Sequence, residues 1–253
     1  MRKYKIHPNF QNETSFFNSI ITNYTTQGEH YGNQDRNSLK LFEFQKDKIN
    51  VKSFKVPNLI NRVAYKFFRK SKARRSFEYA NKLASLGIGT PQPIAYYEYS
   101  NAFLFGKSYY ISHHLNYELT YRELVTQPDY KNHENILRAF TRFTYDLHEK
   151  GVNFLDHSPG NTLIEGSDNN YKFYLVDLNR MKFHKMDFAA RMQNFSRLTP
   201  KKEMVRIMSD EYAKVSGLDF GKVFAEMWRC TEEFQEKFHR KQRLKKQLKF
   251  WKK

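Results

Sequence analysis

The chain has 253 residues, a formal net charge of +18 at pH 7 and one cysteine, Cys230. Its 40% hydrophobic and 17% aromatic content excludes a disordered chain and suits one large domain or a two-lobed one. A lone cysteine excludes a disulfide framework and fits a reducing compartment. No run of about eighteen apolar residues occurs, and the charged start Met1-Arg-Lys-Tyr-Lys has no apolar stretch behind it, so the expectation is a cytoplasmic protein.

Residues 1–38 are polar, with Phe16-Phe17 and Ile20-Ile21 as anchors. Leu39–Phe44 and Lys48–Phe54 flank Gln45-Lys-Asp47 and read as a hairpin that Pro57 ends. Leu59 to Leu86 is helical in pattern, with two helices and a break near Ser71. Gly87 to Pro93 leads into a strand at Ile94–Tyr99; a second, Lys107–Ser112, runs into His113-His114-Leu115. Ile136, Leu137, Phe140, Phe143, Thr144 and Leu147 recur at helical spacing between Asn132 and Lys150, and Gly151 is the stop. Later helices are expected at about Phe188–Arg197 and Pro200–Trp228. Strands first and helices later make an α+β chain with a junction between Ser112 and Glu118.

The chemistry concentrates in Asp156-His-Ser-Pro-Gly-Asn161 and, sixteen residues on, Asp177. Phosphoryl transfer needs a carboxylate at the acceptor hydroxyl, an amide oxygen on a divalent metal and a second carboxylate on metal bridging the phosphates. Pro159-Gly160 supplies a turn between Asp156 and Asn161. The runs on either side of Gly166–Asn170 read as a second hairpin, which carries the chain back toward Asn161 at Asp177. His113, His114, His148, His157 and His184 show no zinc-defining spacing, and Cys230 reads as a packing residue.

Asp156-His-Ser-Pro-Gly-Asn161 resembles the catalytic loop of the eukaryotic-like kinases, above all their small-molecule branch, and Val176-Asp177-Leu178 stands where they have a metal-binding Asp. With Val51-Lys52-Ser-Phe-Lys55 and Leu86-Gly87-Ile-Gly-Thr-Pro91-Gln-Pro93, the chain from about 28 to 200 is most similar to the bacterial lipopolysaccharide kinases. That resemblance implies a two-lobed protein-kinase-like fold, with a small β-rich N-lobe (1–112), a reduced, mostly helical C-lobe (113–236) and a basic aromatic tail (237–253). It implies ATP and Mg2+ as cofactors and a Kdo or heptose hydroxyl of the lipid A inner core as acceptor. Asp156 would be the catalytic base, and Asn161 and Asp177 the metal ligands. Lys52, favoured over Lys55 by its match to the Val-Lys of the family, would grip the nucleotide. Glu78, the one acid between Lys52 and Tyr97, would brace that lysine or merely neutralise a neighbouring cation. His113 to Leu115 would offer backbone groups to adenine. Gly28 and Gly32 are the only candidates for a glycine loop, with ordinary turns as the default. Phe154, Leu155 and Asn179 depart from protein-kinase usage and argue against a regulated protein kinase.

Two clusters carry much of the charge, Arg62 to Arg75 and Lys237 to Lys253. The second surrounds Phe250-Trp251 with cations and suits an anionic membrane surface, so the expected partners are that surface and a lipid-linked core sugar. Nucleic acid is not an expected partner, because no recognition module accompanies the charge. Two alternatives stay open: a catalytically silent kinase-like scaffold at the membrane, and a basic nucleic-acid-binding protein.

Overall fold

Alternating apolar residues build the first of two units. The computed structural model describes residues 1–32, 37–166 and 170–250. It divides into Met1–Asn116 with Asp177–Asn179, and Tyr117–Val176 with Arg180–Lys253.

The first unit runs β1 (Arg2–Ile6), a 3-10 segment (Pro8–Glu13), α1 (Thr14–Thr22), β2 (Glu29–His30), β3 (Asn37–Phe44), β4 (Asp47–Phe54), α2 (Leu59–Phe67), α3 (Lys72–Ser85), β5 (Pro93–Ser100) and β6 (Phe105–His113). Its strands form one antiparallel sheet in the order β1-β5-β6-β4-β3-β2. Side chains alternate across the sheet. Ile49, Val51, Tyr109 and Ile111 therefore meet Phe17, Ile20 and Ile21 of α1 in one core, while Phe54 and Tyr96 meet Ala73 and Phe77 of α3 in another. Fully burying a side chain such as Phe17 stabilises the fold by about 1.5–3 kcal/mol. The register pairs Lys52 with Tyr110, which puts this lysine on the α3 face. The expected helix break is real. Ser71 Oγ accepts from Arg74 N at 3.0 Å and starts α3, after α2 has ended at Phe67. β1 was not foreseen, although its Arg-Lys-Tyr-Lys-Ile alternates; it pairs with β5 from Arg2–Tyr99 to Ile6–Ala95.

The second unit runs β7 (Leu119–Thr120), α4 (Tyr121–Thr126), α5 (His133–Glu149), β8 (Val152–Phe154), β9 (Thr162–Glu165), β10 (Lys172–Leu175), β11 (Met181–Phe183), α6 (Phe188–Phe195), α7 (Lys202–Ser216) and α8 (Phe220–Phe250). The periodic face of α5 (Ile136, Leu137, Phe140) packs with Met204, Val205, Met208 and Tyr212 of α7 and with Val223 and Met227 of α8. Arg138 reinforces the α5–α7 contact, donating to Asp210 at 2.6 Å and Glu211 at 3.2 Å. Cys230 is buried in this core. The helix expected over Pro200–Trp228 is two helices. Gly217 adopts φ 70 after α7, and Asp219 Oδ1 accepts from Lys222 N at 2.8 Å to start α8. Residues 237–250 continue α8, with Phe238 and Leu244 exposed; Trp251 and the Phe250 side chain lie outside the described residues.

Candidate active site

In the second unit, α5 delivers the chain to the loop containing Asp156. Gly151, at φ +68, closes the helix, and a Cβ there would stand 3.0 Å from His184 O. β8 then pairs with β11, Phe154 opposite Met181, and Leu155 N donates to Arg180 O at 3.0 Å. Ser158-Pro-Gly-Asn161 is a turn closed by Asn161 N donating to Ser158 O at 2.9 Å. The Asn161 amide nitrogen donates back to Asp156 O at 2.8 Å, which leaves its Oδ1 outside that bond. The hairpin β9–β10 pairs Leu175 with Thr162, as the sequence predicts, and Val176 N donates to Asn161 O at 3.0 Å. Residues 167–169 of its connection lie outside the described residues.

Arg197 holds the loop's carboxylate. Its Nη1 donates to Asp156 Oδ1 at 2.5 Å and to Leu155 O at 3.1 Å, and the guanidinium carbon lies 5.5 Å from the Phe234 ring centroid. Sequence reasoning missed Arg197, because an arginine just after a helix in a chain this basic carries no distinguishing signal.

Beneath the loop lies a buried polar network. Asn194 Oδ1 sits 3.1 Å from His157 Nδ1 and 3.2 Å from His148 Nε2, so each ring nitrogen facing it carries the proton. His148 Nδ1 then accepts from Tyr212 OH at 3.0 Å. The Asn194 amide nitrogen donates to Phe154 O at 2.9 Å, tying the network to the strand that feeds Asp156. Burial drives both imidazoles toward the neutral form, lowering His148 to about 3 and His157 to about 4, although the Asn194 bond opposes the shift in each.

In the first unit, Lys52 Nζ donates to Asp177 Oδ1 at 2.7 Å, and Asn179 Nδ2 donates to the same oxygen at 2.7 Å. Asp177 takes φ 56, a left-handed backbone that a non-glycine residue adopts at a cost of about 1–3 kcal/mol. Lys52 and Glu78 do not pair in this structure. Glu78 accepts from Lys70 at 2.7 Å and from Arg74 at 2.9 Å, the surface neutralisation that the local run of cations favours. Burial raises its carboxyl, but these cationic donors outweigh it and hold the group below the usual carboxylate range. Lys55 lies past the end of β4, exposed, and only Lys52 meets Asp177.

The stretch offered to adenine is narrower than expected. His113 N donates to Gln92 O at 3.0 Å and His114 N to Lys48 O at 2.8 Å, so both amides are committed to the sheet. Leu115 makes no backbone hydrogen bond among the described residues. Gly28, at φ +81, is fixed by packing, since a Cβ would meet the Phe42 ring at 2.5 Å; a Cβ on Gly32 would meet nothing within 4 Å. The rest of that segment, residues 33–36, lies outside the described residues.

The lipopolysaccharide kinase (Kdo/WaaP) family model matches residues 24–217. The chain belongs to that family, and its activity class is that of a phosphotransferase. A solved structure described as WaaP in complex with acyl carrier protein is similar to it at a TM-score of 0.61 and 16% identity, covering 91% of this chain and 98% of that one. The similarity shows a shared kinase-like fold, a small antiparallel-sheet lobe with a mixed helical remainder. No curated protein matches the chain.

Proposed function

We propose that this lipopolysaccharide kinase transfers the γ-phosphoryl group of ATP to a Kdo or heptose hydroxyl of the lipid A inner core. Asp156 orients and deprotonates the acceptor hydroxyl, and Arg197 fixes the direction of its carboxylate. By chemistry, Asn161 Oδ1 in one unit and the Asp177 carboxylate in the other are each an oxygen donor of the kind Mg2+ takes alongside water and phosphate oxygens. Bound Mg2+-ATP supplies the phosphoryl group with its charge partly neutralised. Lys52 exchanges its bond to Asp177 for the nucleotide phosphates, and the backbone at Leu115 meets the adenine. The protein works at the cytoplasmic face of the inner membrane, with the cations of the tail drawn to anionic lipid. The solved WaaP holds an acyl carrier protein, and a carrier protein is a second partner proposed for this cationic chain.

One observation carries the reading: Lys52 and Asp177, 125 residues apart, meet at 2.7 Å at the α3 face of the sheet. The test is incubation with labelled ATP, Mg2+ and lipid A–core precursors, with any new phosphate mapped by mass spectrometry. Transfer to a core sugar that Asp156→Asn abolishes is the expected result. Nucleotide binding without transfer to any sugar acceptor would overturn the enzyme in favour of the scaffold.

A further inference from the structure

Helix α2 is built inside out. A surface helix ordinarily turns its apolar stripe inward and its charges to water. Here Leu59, Ile60, Val63 and Phe67 share one face, and that face points to solvent, while no residue of α2 is buried. Ile60 is 81% exposed, Phe67 57%, and the following Phe68 82%. The side turned to the protein is the polar one. Arg62 Nε donates to Phe105 O at 2.8 Å, Lys66 Nζ donates to Ser100 Oγ at 3.1 Å, and the Tyr65 ring lies 5.7 Å from that of Phe105. These bonds fix the rotation of the helix, so the outward apolar face follows from how it is attached to β5 and β6.

The surroundings choose what covers it. From Lys55 to Arg75 the chain has eight Lys and Arg and no Asp or Glu. Exposed apolar knobs rimmed by cations match the two layers of an anionic bilayer interface, with acyl chains below and phosphates above.

We propose that α2 docks the small unit on anionic membrane, with Ile60, Val63, Phe67 and Phe68 inserted at the interface and Arg69 at headgroup phosphates. The proposal deepens the proposed function and rests on it only for a membrane-borne substrate. It assigns apolar insertion to α2 and leaves the tail an electrostatic role.

Sedimentation of the full chain with vesicles tests it without any turnover, so failure here and failure of the kinase reading are separate results. The probes are vesicles of phosphatidylcholine alone and of phosphatidylcholine with phosphatidylglycerol. Wild type binds the anionic vesicles. The variant Ile60→Ser/Phe67→Ser/Phe68→Ser, altered only at exposed positions, keeps the wild-type melting temperature and loses about tenfold or more in vesicle affinity with the tail intact. Deleting residues 237–253 weakens binding mainly at low salt and leaves the effect of the triple variant in place. Wild-type affinity in the triple variant overturns the proposal. So does a loss confined to binding of acyl carrier protein or to self-association, which would make α2 a protein-docking face.

Discussion

Arg197 donates to Asp156 at 2.5 Å and, through the same nitrogen, to the carbonyl of Leu155 one residue earlier. A guanidinium anchored at both points sets the direction of the carboxylate relative to its own backbone. In the proposed reaction, Asp156→Ala abolishes transfer and leaves ATP binding nearly intact, because the base acts on the acceptor. Arg197→Gln keeps nucleotide affinity and lowers kcat by about a hundredfold, the scale on which misplacing a catalytic group is felt. Arg197→Lys, which restores one charge-assisted donor, recovers part of kcat. A fall in nucleotide affinity with unchanged kcat would remove Arg197 from this positioning role.

The Lys52–Asp177 pair separates two residues that sequence reasoning had joined. Lys52→Met and Asp177→Ala each weaken Mg2+-dependent nucleotide binding at least about tenfold, since each removes a charge-assisted contact worth about 1.5–3 kcal/mol. Glu78→Gln changes nucleotide affinity by no more than about twofold and stability by at most about 1 kcal/mol, because it breaks only half-exposed pairs with Lys70 and Arg74. Titration of each variant with a fluorescent ATP analogue reads the difference. Equal losses in Lys52→Met and Glu78→Gln would restore Glu78 as the brace.

The parts legible in the sequence are those whose cause is local. The α5 periodicity, the Ser71 break, the β3–β4 hairpin and the Pro159-Gly160 turn are each set by residues within a few positions. What was missed depends on distant partners. Strands β8 and β11 are three residues each and exist because Phe154 meets Met181, a pairing no short window encodes. Arg197 lies 41 residues from Asp156. Asn179 looked like a mere departure from family usage, yet its amide helps hold the Asp177 carboxylate. The division between α7 and α8 could have been read, because Gly217 is a natural helix stop and Asp219 a natural start.

Gly151 joins α5 to β8, the strand that leads to Asp156, under two constraints, φ +68 and the carbonyl of His184 at 3.0 Å from a would-be Cβ. Gly151→Ala meets both, so it destabilises the protein by about 1–3 kcal/mol. Because His184 N also donates to Gly151 O at 2.9 Å, strain there pulls on β11 and the loop beside it. Urea unfolding reads the stability loss, and kcat falls with it. Wild-type stability in the alanine variant would mean that the junction relaxes freely.

His148 and His157 make the fold sensitive to mild acid. Their folded values, about 3 and about 4, lie below the ordinary value near 6.5 that each regains on unfolding. Between those limits the unfolded chain binds protons that the folded one refuses, so stability falls as pH drops. The stabilisation is complete above about pH 6.5 and is lost progressively toward pH 4, at a limiting slope of about 1.4 kcal/mol per pH unit for each histidine. Carboxylates contribute little above about pH 5, so the window from 6.5 to 5 isolates the two imidazoles. Urea unfolding at pH 7.5, 6.5, 5.8 and 5.0 should show that decline, and His157→Phe should roughly halve its slope, because one proton-binding difference is gone. His157 Nε2 has no hydrogen-bond partner, so phenylalanine strands no atom on that side of the ring, although Asn194 loses one donor. A wild-type protein equally stable at pH 7.5 and 5.0 would mean that the imidazoles take protons while still folded, and that the network beneath Asp156 opens without unfolding.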